Sequence, residues 1–175
     1  VDTLVYWTRF DFGGWSVTLA STEKGLCYMG LAEDSLEHMK DWLKRFGIEG
    51  LQEDERKLEV YKSQIKEYLS GRAYDFPMLS LDLKGTPFQL QVWEALQRIP
   101  YGEITTYSEI AEQMGKVSSV RAVASAIGKN PVLIIVPCHR VIAKSGRLSG
   151  YRDGEEHKRS LLQLEKSSRI SERKE

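Results

Sequence analysis

Cysteine is scarce in this chain and histidine nearly so: there are two of the first, Cys27 and Cys138, and three of the second. With no CxxC pair and no clustering of Cys with His, a structural zinc site is not expected. Long apolar runs are missing too. None approaches the roughly 20 residues that cross a bilayer, and no basic segment followed by an apolar one opens the chain, so neither insertion nor secretion is expected. Cys27 and Cys138 could in principle pair, but in a cytoplasmic compartment both are expected reduced. Net charge is absent as well, since 25 basic and 25 acidic residues cancel. The distribution is nevertheless uneven. Residues 1–84 hold 15 acids against 11 bases, whereas Lys116 to Tyr151 contains no Asp or Glu while carrying Lys116, Arg121, Lys129, Arg140, Lys144 and Arg147. Such a one-signed stretch is either a solvated face or a surface that receives an anionic polymer. It surrounds Cys138, which favours the second.

What is present divides at Lys84-Gly85. Before it, alternating residues around Gly13-Gly14 and Lys24-Gly25 predict an antiparallel meander over 3–10, 14–21 and 25–31, with Trp15, Val17 and Leu19 on one face and Ser16, Thr18 and Ala20 on the other. Apolar spacings of three and four predict helices over 35–46 and 55–69, each followed by glycine. Leu79, Leu81 and Leu83 alternate as one more strand. These segments carry no catalytic constellation.

After Gly85, Thr86-Pro87-Phe88-Gln89 combines a capping threonine, proline at the first helical position and glutamine three residues on, so a helix starts there and runs to about Arg98. Thr106-Tyr107-Ser108-Glu109 repeats the capping pattern and opens a short helix that Gly115 closes. Ser118 or Ser119 can cap the next, Val120 to Lys129, with Val123, Ala124 and Ile127 inward. Two short helices joined by a Gly-containing turn form a helix-turn-helix pattern. The second is rich in small residues and carries one long cation, Arg121, which suits close approach to a nucleic-acid groove. Val132 to Val136 is expected as a short buried strand delivering Cys138, with a turn back at Ser149-Gly150-Tyr151. A last helix spans 155–166, packing Leu161, Leu162 and the stem of Lys158, and Glu165 falls beside that apolar face, where a carboxylate needs a partner. Residues 167–175 are polar and are expected as a mobile tail.

The chemistry centres on Pro137-Cys138-His139-Arg140-Val141. An isolated cysteine in an apolar run is ordinarily a small buried hydrophobe. A proline, thiol, imidazole and guanidinium in succession make poor core, because the last two are costly to bury without partners. A thiol is a strong nucleophile only as thiolate, and His139 and Arg140 can supply a base and a positive field.

With these residues in place, residues 85–166 resemble the O6-alkylguanine-DNA alkyltransferases, on Pro137-Cys138-His139-Arg140-Val141 preceded by Gly128-Lys129-Asn130-Pro131. Residues 1–84 fit that family's ribonuclease-H-like domain by pattern. The resemblance implies an α+β protein: an N-terminal antiparallel sheet with helices over 1–84, a mostly helical, winged-helix-like DNA-binding and acceptor domain over 85–166, and the tail. It implies that Cys138 takes an alkyl group irreversibly from guanine O6 in double-stranded DNA, after the base is flipped out through minor-groove contact. Activity on O4-alkylthymine is left open by the sequence. Residue by residue, it implies that Arg121 fills the gap in the duplex. Tyr107 presses the 3′ phosphate and later hydrogen-bonds guanine N3, and Asn130 braces the turn before the cysteine. His139 takes the thiol proton through a bound water, with Glu165 orienting the imidazole. The carbonyls of Cys138 and Val141 and the amide of Arg152 read the guanine, and Tyr151 walls the pocket. Ser108, Lys116 and Lys144 join Arg121 and Tyr107 on the DNA-facing surface. No metal or organic cofactor is implied, and the protein is expected to act as a cytoplasmic, nucleoid-associated monomer.

One departure from the family pattern is Arg152-Asp153 after the pocket tyrosine, where relatives often have small residues. Two other functions remain compatible with the residues: a helix-turn-helix lesion sensor that flips alkylated bases without repairing them, and a cysteine hydrolase using Cys138 and His139. Neighbours on an extended strand point to opposite faces, which disfavours direct proton exchange in the second.

Overall fold

The computed structural model describes residues 3–148 and 150–174 and divides into two compact units, Val1–Lys84 and Gly85–Glu175. In the first unit, β1 (Val5–Phe12), β2 (Trp15–Thr22) and β3 (Gly25–Gly30) form the meander. Phe12 faces Trp15 across a two-residue loop in which Gly13 and Gly14 have φ of 54° and 84°. Two successive positive φ values give the hairpin turn whose twist matches the strands, and glycine adopts them without a Cβ clash. A fourth strand, β4 (Leu51–Glu53), lies parallel to β1, so the sheet order is β3-β2-β1-β4.

Both faces of β2 are covered, since Thr18 and Ala20 are as buried as Val17 and Leu19. The reason is α1 (Ser35–Lys44), whose first residue shares a 2.6 Å hydroxyl hydrogen bond with Thr18. That bond satisfies two hydroxyls which burial alone would penalise. Helix α1 buries Met39, Trp42 and Leu43, and α2 (Glu59–Leu69), preceded by a 3₁₀ turn at Arg56–Leu58, buries Tyr61, Ile65, Tyr68 and Leu69. Each aliphatic side chain among them contributes roughly 1.5–3 kcal/mol. The stretch at Leu79, Leu81 and Leu83 makes no full strand. It touches the sheet edge through one bridge, Leu26 to Leu81, with Leu26 donating to the Ser80 carbonyl and Asp82 donating to that of Leu26.

In the second unit, α3 (Pro87–Leu96) begins with the reciprocal capping box at Thr86 and Gln89, a device worth about 1 kcal/mol. Gly85 is required there, because a Cβ would stand 2.6 Å from the Trp93 ring. Trp93 is fully buried, and its indole N–H donates to the Ala126 carbonyl at 2.9 Å, fastening α3 to α5 (Val120–Gly128). Between them, α4 (Tyr107–Gln113) is capped by Thr106. The Glu109 side chain does not close the box, accepting instead from the Thr105 hydroxyl at 2.6 Å. Neither expected serine caps α5: a 3₁₀ turn at Val117–Ser119 leads into it, and Ser119 makes no side-chain cap.

The remaining features differ from expectation or carry the site. Of the apolar run expected as a strand, Val132 makes a single bridge and 133–136 are turn and bend, and Cys138–Arg140 is a 3₁₀ turn. Two short strands, β5 (Thr105–Thr106) and β6 (Val141–Ile142), pair in parallel, so the start of α4 is tied to the residues just after the cysteine. Helix α6 spans Glu155–Lys174, past the expected end at Lys166. Residues 167–174 contain neither Gly nor Pro, and extending a helix is easier than nucleating one. Ser149, in the expected turn back, lies outside the described residues.

Candidate active site

Asn130 stands just after α5, buried, and its side chain decides the path of the chain to the cysteine. Its Oδ1 accepts from the Val132 amide at 3.0 Å, while Nδ2 donates to the Val136 carbonyl at 2.7 Å and to Cys138 Sγ at 3.2 Å. These side-chain bonds offer the backbone an alternative to a sheet ladder. That is why a β-branched, apolar run curls instead of extending, with Val136 donating to the Val132 carbonyl at 3.1 Å. Ile134 sits in the loop at φ 71°, a conformation rare for a β-branched residue and costing on the order of 1–3 kcal/mol. Burial of Val132, Leu133, Ile134 and Val136 offsets that strain.

The turn carries Cys138 and His139 inward, both buried. His139 Nε2 lies 2.6 Å from Glu165 Oε2 on α6. Arg140 grips the same carboxylate, Nε donating to Oε1 at 2.8 Å and Nη2 to Oε2 at 3.0 Å, and its Nη1 donates to the Ile99 carbonyl at 2.6 Å. The Gly102 amide adds a bond to Oε1 at 3.1 Å. Burial pushes the Glu165 carboxyl upward, but the His139 and Arg140 contacts outweigh it and hold the group far below the usual carboxylate range. A charged carboxylate only accepts, so Nε2 must carry the imidazole proton. Burial, opposed by Glu165, lowers the His139 pKa and keeps the ring neutral. The lone pair is therefore on Nδ1, which is buried and has no hydrogen-bond partner among the described residues. A neutral base with one free nitrogen is the outcome.

The sulfur itself does not rest as an anion. Burial raises the Cys138 thiol, and the Asn130 N–H and the charges of Arg152 and Lys158 only partly pull it back. The positive field expected from Arg140 is spent on Glu165, so the thiolate has to be made on demand by the base.

Around this pair stand the other expected groups. Tyr107, the first residue of α4, is half-buried, and burial followed by the nearby Cys138 raises its phenol. Tyr151 is buried with its hydroxyl lacking a partner among the described residues, and burial raises it well above the usual phenol range. The Val141 carbonyl accepts from Lys158 Nζ at 2.6 Å; a carbonyl has a second lone pair, so Val141 can still accept from a ligand. The Arg152 guanidinium donates to the Asn130 carbonyl at 2.7 Å. Arg121 projects from an exposed face of α5 that also presents Ala122, Ser125 and Lys129. Lys144 is exposed, Ser108 is half-buried, and the Lys116 ammonium lies 5.8 Å above the Phe88 ring.

Three groups of this site are poorly marked in the sequence. Arg140 reads there as a diffuse cation, yet it holds Glu165 by two hydrogen bonds. The Gly102 amide gives no signal. Lys158 has one: it falls seven residues before Glu165 on the stripe of Leu161, a position where a lysine is buried. Among the described residues no group of three His, Cys, Asp or Glu side chains could hold a metal ion, and no helix is long and apolar enough to cross a membrane.

Both units match family models. Residues 5–83 match the ribonuclease-like domain, and residues 87–167 the DNA binding domain, of 6-O-methylguanine DNA methyltransferase. The inducible methylated-DNA–protein-cysteine methyltransferase of Bacillus subtilis is 48% identical over 163 residues, covering 93% of this chain and 90% of that protein. The chain belongs to the methylated-DNA–protein-cysteine methyltransferase family. Among solved members, the crystal structure of the Mycobacterium tuberculosis O6-methylguanine methyltransferase is 39% identical with a TM-score of 0.79, covering 94% of each chain. The same organism's OGT in complex with DNA is 40% identical with a TM-score of 0.80, covering 93% of this chain and 94% of that one. The family therefore accounts for both halves of the chain, including the sheet that carries no catalytic group.

Proposed function

We propose that this chain repairs alkylated DNA directly, by moving the alkyl group of O6-alkylguanine from the duplex onto Cys138 in one irreversible step. His139 supports the reading most strongly: Nε2 is fixed to an ionised Glu165 while Nδ1 stays open for a proton. The Cys138 proton passes through a water to Nδ1, and the imidazolium that forms is stabilised by Glu165. The thiolate then attacks the alkyl carbon in line. The S–C bond forms as the C–O6 bond breaks, the electron pair leaves on the guanine oxygen, and Tyr107 hydrogen-bonds N3 of the departing base. The product is a thioether, so each chain reacts once.

The target carbon is unreachable inside a stacked duplex, so the nucleotide must be extruded, at a cost of a few kcal/mol. On this reading α4 and α5 form a helix-turn-helix in which Arg121 fills the vacated space, with Ser108, Lys116 and Lys144 contacting the backbone. The Val141 and Cys138 carbonyls and the Arg152 amide read the guanine edge, against Tyr151. The protein works in the cytoplasm, as a monomer.

The test is intact mass after exposure to free O6-benzylguanine, with a gain of one benzyl group per chain expected on Cys138. Continued turnover beyond one equivalent would argue for a hydrolase instead, and binding with no loss of the lesion for a sensor. Arg121→Ala is expected to slow repair of duplex DNA roughly a hundredfold, matching the loss of about 2–3 kcal/mol of flipping stabilisation. Its rate on free O6-benzylguanine should stay within about twofold of the parent. Equal losses on both substrates would remove Arg121 from the flipping step.

A further inference from the structure

The departure at Arg152-Asp153 is built into the site rather than left on its surface. The Arg152 side chain is 10% exposed and that of Asp153 6%. Arg152 Nε donates to Asp153 Oδ1 at 3.1 Å, which fixes the plane of the guanidinium, and Nη1 reaches back 22 residues to the Asn130 carbonyl at 2.7 Å. Asp153 is held in turn, because its carbonyl lies 2.7 Å from His157 Nδ1 on α6. Asn130 is the residue whose side chain bonds the sulfur. A continuous connection therefore runs from Asp153 through Arg152 and Asn130 to Cys138.

We propose that Arg152 is a positioning residue for the acceptor sulfur, holding the Asn130 backbone so that its side-chain amide stays aimed at Cys138 and setting a fixed positive charge beside the anion that forms there. This rests on the alkyl-acceptor reading for its purpose but not for its chemistry. The other ionisable groups acting on the sulfur are Lys158 on α6, Tyr107 on α4 and Tyr151 beside Arg152, together with the Asn130 dipole. His139 is the base, and Arg140 is neutralised by Glu165. Of the two cations that favour the thiolate, Arg152 acts more strongly than Lys158. An arginine suits the place because its planar fork can hold a carboxylate and a carbonyl together, while its charge cannot be lost at working pH.

The experiment is the pH dependence of Cys138 alkylation by iodoacetamide, located by peptide mass, in the parent protein, Arg152→Ala and Arg152→Lys. Arg152→Ala is expected to move the midpoint up by about one pH unit, which is roughly tenfold slower reaction below it. Arg152→Lys, which keeps the charge but cannot hold the carboxylate and the carbonyl together, should recover only part of that shift. A midpoint unchanged in Arg152→Ala, or fully restored in Arg152→Lys, overturns the proposal. Iodoacetamide needs neither guanine nor DNA. A protein that shows the shift yet leaves O6-alkylguanine untouched would overturn the repair reading alone, and one that repairs without the shift would overturn this inference alone.

Discussion

Cys138→Ala is expected to take up no alkyl group at all: no mass gain with O6-benzylguanine and no removal of the lesion from duplex DNA. The effect is all-or-none because no second nucleophile can stand in. Cys27, the other thiol, is fully buried in β3, with its sulfur donating to the Ala20 carbonyl at 3.4 Å. Burial first, then the Asp82 charge, pushes it up to about 12, so at neutral pH it is an inert thiol. The substitution should leave the fold intact. Only the sulfur atom is removed, which leaves a void smaller than a methyl-sized deletion from a larger side chain would, and Asn130 Nδ2 keeps its bond to the Val136 carbonyl. The stability lost is then near the ordinary net worth of one hydrogen bond, about 1 kcal/mol. Binding to alkylated duplex should persist, since Arg121 and the exposed face of α5 are untouched. Label found on Cys138→Ala would end the assignment of the acceptor.

Much of this architecture can be read from local sequence signals because local physics decides it. Thr86 and Thr106 announce the starts of α3 and α4 by their hydroxyls, and both accept the expected amide. Gly13-Gly14 announces the first hairpin. The misreadings arise where a distant group or a single side chain overrides the local pattern. Val132–Val136 has the composition of a buried strand and is buried, yet one asparagine amide bends it into turns. Leu51–Glu53 is too short and too polar to show alternation, and it becomes a strand because Val5 to Trp7 offer an open edge. In the site, Glu165 shows itself as a carboxylate on an apolar helix face. Its partner Arg140, 25 residues earlier, does not, because no spacing rule links the two. Arg140 looks in sequence like a charge for the thiol. In the structure it secures the carboxylate that in turn sets the tautomer of His139.

Arg140→Met tests that inversion of roles, and its largest effect should be on stability. Removing one partner of a buried ion pair leaves the other charge uncompensated, which costs about 3–5 kcal/mol. Here the loss includes the fork on Glu165, the bond to the Ile99 carbonyl and the contact with the Tyr101 ring, 5.6 Å from the guanidinium carbon. The thermal midpoint of the C-terminal unit should fall by more than about 6 °C. The pH dependence supplies the discriminating sign. In the parent the depressed Glu165 carboxyl contributes stability that is full above its unfolded value near 4.5 and drains away as pH falls below it. In Arg140→Met that acid-side slope should flatten, because the folded pKa moves back toward the unfolded one. Alkylation should slow as well, since a less firmly charged Glu165 no longer reserves Nδ1 of His139 for the thiol proton. If Arg140→Met kept the parent's midpoint and acid slope, Glu165 would be held by His139 and Gly102 alone, and the carboxylate's charge would need another explanation.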